Sequence, residues 1–394
     1  LLSGQRVHIG LVCDWYRPRV GGIESALEDL ARALARRGCA VTVITTTPGT
    51  GDRDGDRHGD GDGALSIVRL PLPRVPGWDV ALAPRGLGAI RQALLAARVD
   101  VVHAHSVYSP LALAALRAAR QIGLPSVLTS HSLLGPTGVA LLAAADRLTG
   151  WGRWPTRLSA VSTLAAAELR LATRRNAVDV IPNALDLSAW RDDPSTAIGP
   201  PGARPPRVVS VMRLAPRKRP LDLVRVLARA HARLPPDRRP RLTVVGDGPL
   251  RRDLARLAAR LGVAHAVELT GAVPRPRVRA LLASADVFLL PTAQEAFGLA
   301  ALEARAAGLP VIARSGSGAA DVVTPGHNGE LGDDVDGLTD ALVGLVLDER
   351  RRAAQAAAAR RDLDRFDWAR VVDDQLALYR ESGAPPMTRT QPDA

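Results

Sequence analysis

The segment RLAPRK places Arg213 and Lys218 five residues apart in a loop that leaves a β-rich run. Two cations so placed can flank a diphosphate and stabilise it as it departs, a task otherwise given to a metal ion. Lys218 is the only lysine of the chain, and the other 51 of its 52 basic residues are arginine. A background that has removed lysine everywhere else marks this compact ammonium as one that a planar guanidinium does not replace, the alternative being a leftover surface lysine. A Schiff-base role would require an apolar pocket, whereas Arg217 and Arg219 flank the residue. Further along, PTAQEAFGLAALEARAAGLPVIA holds Glu295 and Glu303 eight residues apart, just over two helical turns. Both could face one side of a helix or of the loop leading into it, with Glu295 at the carboxyl end of the strand DVFLLPT. The alternative is one capping and one solvated glutamate with Arg305 as an ionic neighbour.

Three further features are compatible with ligand binding. In DWYRPRVGGIES, Gly21 and Gly22 let the backbone approach a ligand and leave helix N–H groups for an anion, or they make a tight turn. VVGDGP, with Gly246, ends a strand in a tight turn before the helical run LRRDLARLAARLG. His131 stands at a strand end between serines, either reaching a ligand or satisfied within the fold. His103 and His105 alternate on the buried strand VVHAH and are expected to be structural. The Asp-rich run from Pro48 to Gly63 imitates a calcium loop, but Arg57 and Gly63 stand where glycine and glutamate are required. It is expected to be a flexible surface loop.

The elements that must position these residues alternate between short β-rich runs and amphipathic helical segments. Val7–Val12 is followed by a helical stripe of Ile23, Ala26, Leu27, Leu30, Ala31 and Leu34 that stops at Gly38. AVTVITT, ALSIVRL, DVVHAH, PSVLTS, TRLSAVS and VDVIPN continue the strand series, and RVVSVMRL, RLTVVGDG, AVELTGAV, DVFLLPT and PVIARSG restart it. Pro194, Pro200, Pro201, Pro205 and Pro206 lie between the two series without periodicity. This pattern predicts an α/β protein of two Rossmann-like doubly wound parallel-sheet domains facing across a cleft. The expected boundaries are 1–190 for the N-terminal domain, 191–206 for a Pro-rich linker and 207–365 for the C-terminal domain. A helix at 366–382 is expected to cross back to the N-terminal domain, followed by a disordered tail at 383–394.

Composition excludes other classes. The net charge of +12 comes from an arginine-biased background with interleaved acidic residues, and aromatics make up only 3%. Sequence-independent nucleic-acid binding would need basic stripes and aromatic platforms, so no nucleic-acid partner is expected. Cys13 and Cys39 are too few for a disulfide framework or a four-ligand zinc site. The apolar start suits a buried strand rather than a signal peptide, and glycines and prolines interrupt the longest uncharged stretch, Gln121 to Ala145. A cytoplasmic location is the default expectation. The segment PRGLGAIRQALLAAR sets Leu87, Ile90, Leu94 and Leu95 beside Arg85, Arg91 and Arg98. Such a helix either packs on the core with an arginine outer face or rests on an anionic membrane surface, a peripheral contact at the inner face.

In combination, E-x7-E followed by GLPVIA, preceded by GAVP and ADVFLLPT, with R-x4-K and GDGP upstream, resembles the retaining glycosyltransferases of family four, which have the GT-B fold. The motif order is kept over nearly the whole chain. DWYRPRVGGIES, VVHAHSVYSPLALAAL, LTSHSLLG and VIPNALD look particularly like the catalytic subunit of the phosphatidylinositol N-acetylglucosaminyltransferase and its bacterial relatives. The resemblance implies transfer of a hexosyl or N-acetylhexosaminyl group from a UDP- or GDP-linked sugar to a hydroxyl of a small-molecule, glycan or lipid acceptor. It implies Gly21 and Gly22 against the donor diphosphate and the acceptor, and Arg213 and Lys218 holding the leaving diphosphate. Glu295 would contact sugar hydroxyls, Phe297, Gly298 and Leu299 would offer backbone N–H groups, and Glu303 would accept from the ribose. His131 would reach the sugar, and Val273 would meet the base through its backbone. The segment after GLPVIA departs from the family pattern, reading SGSGAADVV with Asp321 where glutamate is usual.

No cofactor and no metal are expected, because the cations stand where a metal would. The family reading puts Glu295 beside the outer hydroxyls, so front-face attack is expected rather than double displacement through a carboxylate nucleophile. Arg17 and Arg19, just before the glycines, point to an anionic or phosphate-bearing acceptor. The rival enzyme class is a sugar-nucleotide 2-epimerase of the same fold, and the rival without catalysis is a basic nucleic-acid-binding protein.

Overall fold

The computed structural model describes residues 6–19, 21–49, 64–75, 80–81, 86–191 and 204–385. The chain divides into two compact units, one of Leu1–Ala184 with Trp368–Ala394 and one of Leu185–Asp367. In the first, seven parallel strands lie in the order β3-β2-β1-β4-β5-β6-β7. They are β1 (His8–Val12), β2 (Ala40–Thr45), β3 (Leu65–Arg69), β4 (Val101–His105), β5 (Ser126–Ser130), β6 (Thr156–Ala160) and β7 (Asp179–Val180). Every residue of β4 and β5 is buried, as central strands covered on both faces require. The crossover helices are α1 (Gly22–Arg36), α2 (Gly86–Ala97), α3 (Pro110–Ile122), α4 (Gly135–Thr149) and α5 (Thr163–Thr173). α1 buries Leu27, Leu30 and Leu34 in one cluster with Ile9, Leu11, Val41 and Val43. Each such side chain contributes about 1.5–3 kcal/mol. α3 begins where the Ser109 hydroxyl accepts from the Ala112 amide ahead of Pro110, and it ends at Gly123 with φ of 74°.

The last helix, α13 (Trp368–Glu381), belongs to this first unit. Trp368, Val371, Val372, Leu378 and Tyr379 enter the same cluster as β1, β2 and α1. The Tyr379 hydroxyl lies 2.7 Å from Nδ1 of His103, whose Nε2 lies 2.7 Å from the Thr129 hydroxyl. Thr129 in turn meets Ser159 at 2.6 Å, so a column of hydrogen bonds runs from α13 through β4, β5 and β6. Burial pushes the Tyr379 phenol well above its usual value and His103 down to about 3, so both are neutral.

The second unit repeats the plan, with six parallel strands in the order β10-β9-β8-β11-β12-β13. It opens with the short α6 (Ser188–Arg191) and runs through β8 (Arg207–Val211), α7 (Pro220–Arg233), β9 (Arg241–Val245), α8 (Arg251–Arg260), β10 (Val267–Gly271), α9 (Arg275–Ala283) and β11 (Val287–Leu290). It ends with α10 (Leu299–Ala306), β12 (Val311–Arg314), β13 (Gly329–Gly332), α11 (Val335–Leu347) and α12 (Glu349–Ala359). Both sheets have the doubly wound order in which the chain reverses direction beside the first strand, between β1 and β4 and between β8 and β11.

Several details differ from the sequence-based expectations. The unit boundary falls at Ala184 and Leu185, ahead of the proline-rich run, of which residues 192–203 lie outside the described residues. The acidic run, over residues 50–63, and the tail, over 386–394, lie outside them as well. β13 reads GELG, too short and glycine-rich to register as a strand; it pairs with β12, and a Cβ on Gly329 would sit 2.1 Å from the Val311 carbonyl oxygen. On α2, Ile90 and Leu94 are fully buried with Val12, Ile44 and Val102, so the apolar face considered for a membrane packs on the sheet. Leu95 alone of that set is exposed. Among the described residues no helix is long and apolar enough to cross a membrane.

The buried neutral His103 makes stability depend on pH. Its folded-state value of about 3 lies below the ordinary 6.5. The unfolded chain therefore takes up a proton that the folded one refuses as pH falls through 6.5. Urea unfolding is expected to show stability fully present above pH 6.5 and declining toward pH 4, by about 1.4 kcal/mol per pH unit from this one group. A His103→Phe variant should show a shallower decline, and an unchanged slope would contradict the assignment.

Candidate functional site

In the second unit the loops after β8 and β11 diverge at the reversal point, and they carry the charged residues singled out above. Lys218 ends a short 3-10 turn, Pro216–Lys218, that precedes α7. Its Nζ donates to Glu295 Oε2 at 2.6 Å. Both side chains are largely shielded, 22% and 15% exposed, so the pair is less screened than a surface pair. The Thr292 hydroxyl donates to the Lys218 carbonyl at 3.1 Å and ties the two loops at backbone level. Arg213 is exposed, and its guanidinium makes no hydrogen bond or ion pair among the described residues. Glu295 lies in the loop and α10 begins only at Leu299, so the eight-residue spacing is not two turns of one helix; Glu303 alone is helical, and half-buried.

These loops are fixed by contacts that leave no room for a side chain. Gly246, with φ of 128°, faces the Met212 carbonyl oxygen, which a Cβ would approach to 1.9 Å. Gly248, at φ of 156°, would meet the Leu214 carbonyl oxygen at 2.6 Å. Leu214 also exchanges backbone hydrogen bonds with Asp247 and Leu250. Gly246 therefore serves the loop that carries Arg213 and Lys218, by letting two backbones touch. On the other side the Gly318 amide donates to the Glu295 carbonyl at 2.7 Å, and a Cβ on Gly318 would sit 1.9 Å from the Ala296 oxygen. The segment that departs from the family pattern thus supports Glu295, with Asp321 half-buried at the end of its 3-10 turn. Phe297 is buried and packs edge-on to Phe366 at 5.8 Å, so its side chain is core. Gly298, at φ of 89°, opens α10, where the N–H groups of Phe297 and Gly298 donate no hydrogen bond among the described residues. Val273 is half-buried in the loop after β10.

Arg305 is not an ionic neighbour of this pair. It is 1% exposed, and its guanidinium donates to the carbonyls of Ala359 (3.0 Å), Val322 (2.8 Å) and Arg361 (2.7 Å). Burial pulls its pKa down to about 10. It fastens α10 to the end of α12, a role hidden in sequence because each acceptor is a backbone carbonyl.

In the first unit the loops after β1, β2, β3 and β4 meet around Asp14, which sequence reasoning did not single out. Asp14 is fully buried, and its carboxylate accepts from Ser109 (2.5 Å), Thr46 (3.0 Å), and the amides of Ala81 (2.9 Å) and Leu111 (3.4 Å). Its carbonyl accepts from the hydroxyls of Thr45 and Thr47. One carboxylate thus joins the β1 loop to the start of α3 across the reversal point. Gly21 precedes α1 with an ordinary extended backbone; a Cβ there would meet the Glu24 carboxylate at 2.3 Å, while Gly22 faces open space. Arg17 is bound to Glu28 at 2.6 Å and Arg19 to Glu24 at 3.0 Å, so α1 carboxylates hold both guanidinium groups. His131 follows β5 and is half-buried, with Nε2 2.9 Å from Nδ1 of His105. Burial lowers it to about 4 and lowers His105 well below the ordinary value. Cys13 and Cys39 are buried thiols whose pKa values burial pushes up, which leaves them inert as nucleophiles.

The contact at Gly246 gives a direct test. Gly246→Ala must move the Met212 loop, at a cost of about 1–3 kcal/mol in unfolding free energy. Chemical denaturation of the purified variant measures that loss, and an unchanged midpoint would mean that the loop yields freely.

Two family models match the chain in succession. Residues 20–189 match Glycosyltransferase Family 4, and residues 196–362 match Glycosyl transferases group 1. Among curated proteins, the GDP-mannose-dependent alpha-(1-6)-phosphatidylinositol monomannoside mannosyltransferase of Mycolicibacterium smegmatis is 39% identical over 173 residues, 41% of this chain and 44% of that protein. The D-inositol 3-phosphate glycosyltransferase of Stackebrandtia nassauensis is 39% identical over 181 residues, 43% of this chain and 40% of that protein. The chain therefore spans about half the length of the curated relatives it matches. Among solved structures, sucrose-phosphate synthase from Thermosynechococcus elongatus superposes with a TM-score of 0.74 at 22% identity, over 96% of this chain and 100% of that one. With the reversal-point loops and the strand orders in agreement, the chain has the GT-B fold, and its two halves match in turn the family 4 and group 1 glycosyltransferase models.

Proposed function

We propose that this chain is a retaining glycosyltransferase that moves a hexosyl or N-acetylhexosaminyl group from a UDP- or GDP-linked sugar to a hydroxyl acceptor. The observation that carries this reading is the Lys218–Glu295 pair at the reversal point of the second sheet, with Arg213 exposed on the same loop. A diphosphate brings more negative charge than one carboxylate and competes with Glu295 for the ammonium. Its binding frees the Glu295 oxygens to accept from sugar hydroxyls. As the bond to the anomeric carbon breaks, charge grows on the departing diphosphate, and Lys218, Arg213 and the α10 amides lie within one pair of loops. Each charge-assisted hydrogen bond is worth about 1.5–3 kcal/mol. On this reading the cations do the work of a metal, Glu295 orients the sugar, and the departing diphosphate takes the acceptor's proton in a front-face substitution. Glu303 accepts from the ribose and Val273 meets the base.

For the acceptor, the relatives supply the direction. Phosphatidylinositol monomannoside and D-inositol 3-phosphate stand in their names, and the resemblance to the phosphatidylinositol N-acetylglucosaminyltransferase catalytic subunit agrees with them. An inositol carrying a phosphate, free or lipid-linked, is the acceptor this reading favours. Its phosphate would compete with Glu24 for Arg19 beside Gly21 and Gly22.

The test uses purified wild type, Lys218→Ala and Glu295→Ala with UDP-, GDP-, ADP- and dTDP-sugars in the presence of EDTA. Wild type should be thermally stabilised by one donor class and should release its nucleoside diphosphate only when acceptor is added. Each variant should lose about 10²–10³-fold or more in turnover while keeping a folded melting transition. Near-normal turnover in either variant would sink the assignment. Donor conversion without acceptor would indicate a 2-epimerase instead. Lys218→Ala should lose stabilisation by the free nucleoside diphosphate, whereas Glu295→Gln, which removes the competing charge, should retain or increase it.

A further inference from the structure

The histidine beneath His131 has one nitrogen with no use in the fold. His105 is 1% exposed; its Nδ1 faces His131 Nε2 at 2.9 Å, and its Nε2 is buried with no hydrogen-bond partner. Its ring lies 4.0 Å, centroid to centroid, from that of His103, and both nitrogens of His103 are taken by the Tyr379 and Thr129 hydroxyls. His103 therefore has no site left to offer His105. Ser106 holds the next position with φ of 72° while its amide donates to the Thr129 carbonyl, so the turn that sets the His105 ring is pinned to β5.

Two neutral rings sharing one hydrogen bond have two arrangements. If His131 supplied the proton from Nε2, His105 would have to carry its own proton on Nε2, leaving a buried N–H aimed at no acceptor. If His105 supplies the proton from Nδ1, its Nε2 keeps only a lone pair. Orphaned buried N–H groups are the rarer and costlier case. We propose that His105 is a positioning residue that donates Nδ1–H to His131 Nε2 and so confines the His131 proton to Nδ1. The His131 Nδ1 makes no hydrogen bond among the described residues and is not a buried atom. His131 thus presents a fixed, uncharged N–H donor, suited to an oxygen of the sugar or acceptor and unable to act as a general base at that nitrogen. Burial of both rings keeps the arrangement neutral at physiological pH. What the donor meets rests on the glycosyltransferase reading; the tautomer does not.

The chain has eight histidines, few enough to resolve by nitrogen-15 histidine labelling and long-range proton–nitrogen correlation on the whole protein near neutral pH. His131→Asn identifies the His131 signals by their loss. In wild type, His131 is expected to show a protonated Nδ1 and an unprotonated Nε2. In His105→Leu, which removes the donor, the pattern should move toward Nε2–H while the His103 signals stay in place. His105→Gln supplies an amide N–H to the same nitrogen and should restore the wild-type pattern, and it serves if the leucine variant does not fold. Transfer should slow about tenfold in His105→Leu, the value of one neutral hydrogen bond, and recover in His105→Gln. A protonated Nε2 on His131 in wild type, or a pattern indifferent to the leucine substitution, would overturn the proposal. The expected pattern in a chain that transfers no sugar from any nucleotide donor would uphold the positioning and remove the functional reading instead.

Discussion

At the ends of β8 and β11 the carbonyl oxygens of Met212 and Ala296 occupy the space that a Cβ on Gly246 or Gly318 would need. The rest of the candidate site depends on this exclusion. Where a doubly wound sheet reverses direction, the loops of neighbouring strands part, and no strand ladder holds them. Something else must fix two long side chains to within a hydrogen bond of each other. Here backbone presses on backbone from both sides, and Lys218 and Glu295 meet at 2.6 Å as the outcome. The same problem in the first unit is solved by a buried carboxylate, Asp14, which gathers donors from three loops.

The two solutions differ in what they ask of the sequence. A glycine contact needs only the absence of a side chain at one position, and it transmits position through stiff peptide planes. A carboxylate hub needs several donors to arrive together, and each one lost would leave a buried charge less well satisfied. The first unit also carries a longer polar column, from Tyr379 on α13 through His103 and Thr129 to Ser159. Its members are neutral because burial penalises the charged forms. The last helix of the chain is thereby tied to the strand that carries His105, two residues from His103 on the same face.

The arginine-rich composition has a similarly local meaning. Most of the ion pairs, such as Arg233 with Asp340 and Arg238 with Glu349, lie at the surface, where such contacts contribute little. Arg17 and Arg19 are matched by α1 carboxylates, and Arg305 is consumed by three backbone carbonyls. With these arginines engaged within the fold, the net charge of +12 does not by itself mark a binding surface. Lys218 remains the exception, as the single ammonium and the one opposite Glu295.

By itself the sequence determined the alternation of strands and helices, because periods of two and 3.6 are local properties of burial. It thereby determined two parallel sheets, and the residue types at their reversal loops pointed to a diphosphate, with a sugar donor implied only by the family resemblance. β13 escaped because four residues with two glycines carry no period, and their strand character comes from pairing with β12. Tertiary structure alone decided which residues meet. The Lys218–Glu295 bond spans 77 positions and the His103–Tyr379 bond 276, and no spacing rule reaches that far. Gly246 was legible as a turn but not as the seat of the Met212 carbonyl. Asp14 and Arg305 were illegible because most of their partners are backbone groups or small hydroxyls, which every sequence has everywhere. What a side chain does depends on which of those groups the fold brings within 3 Å.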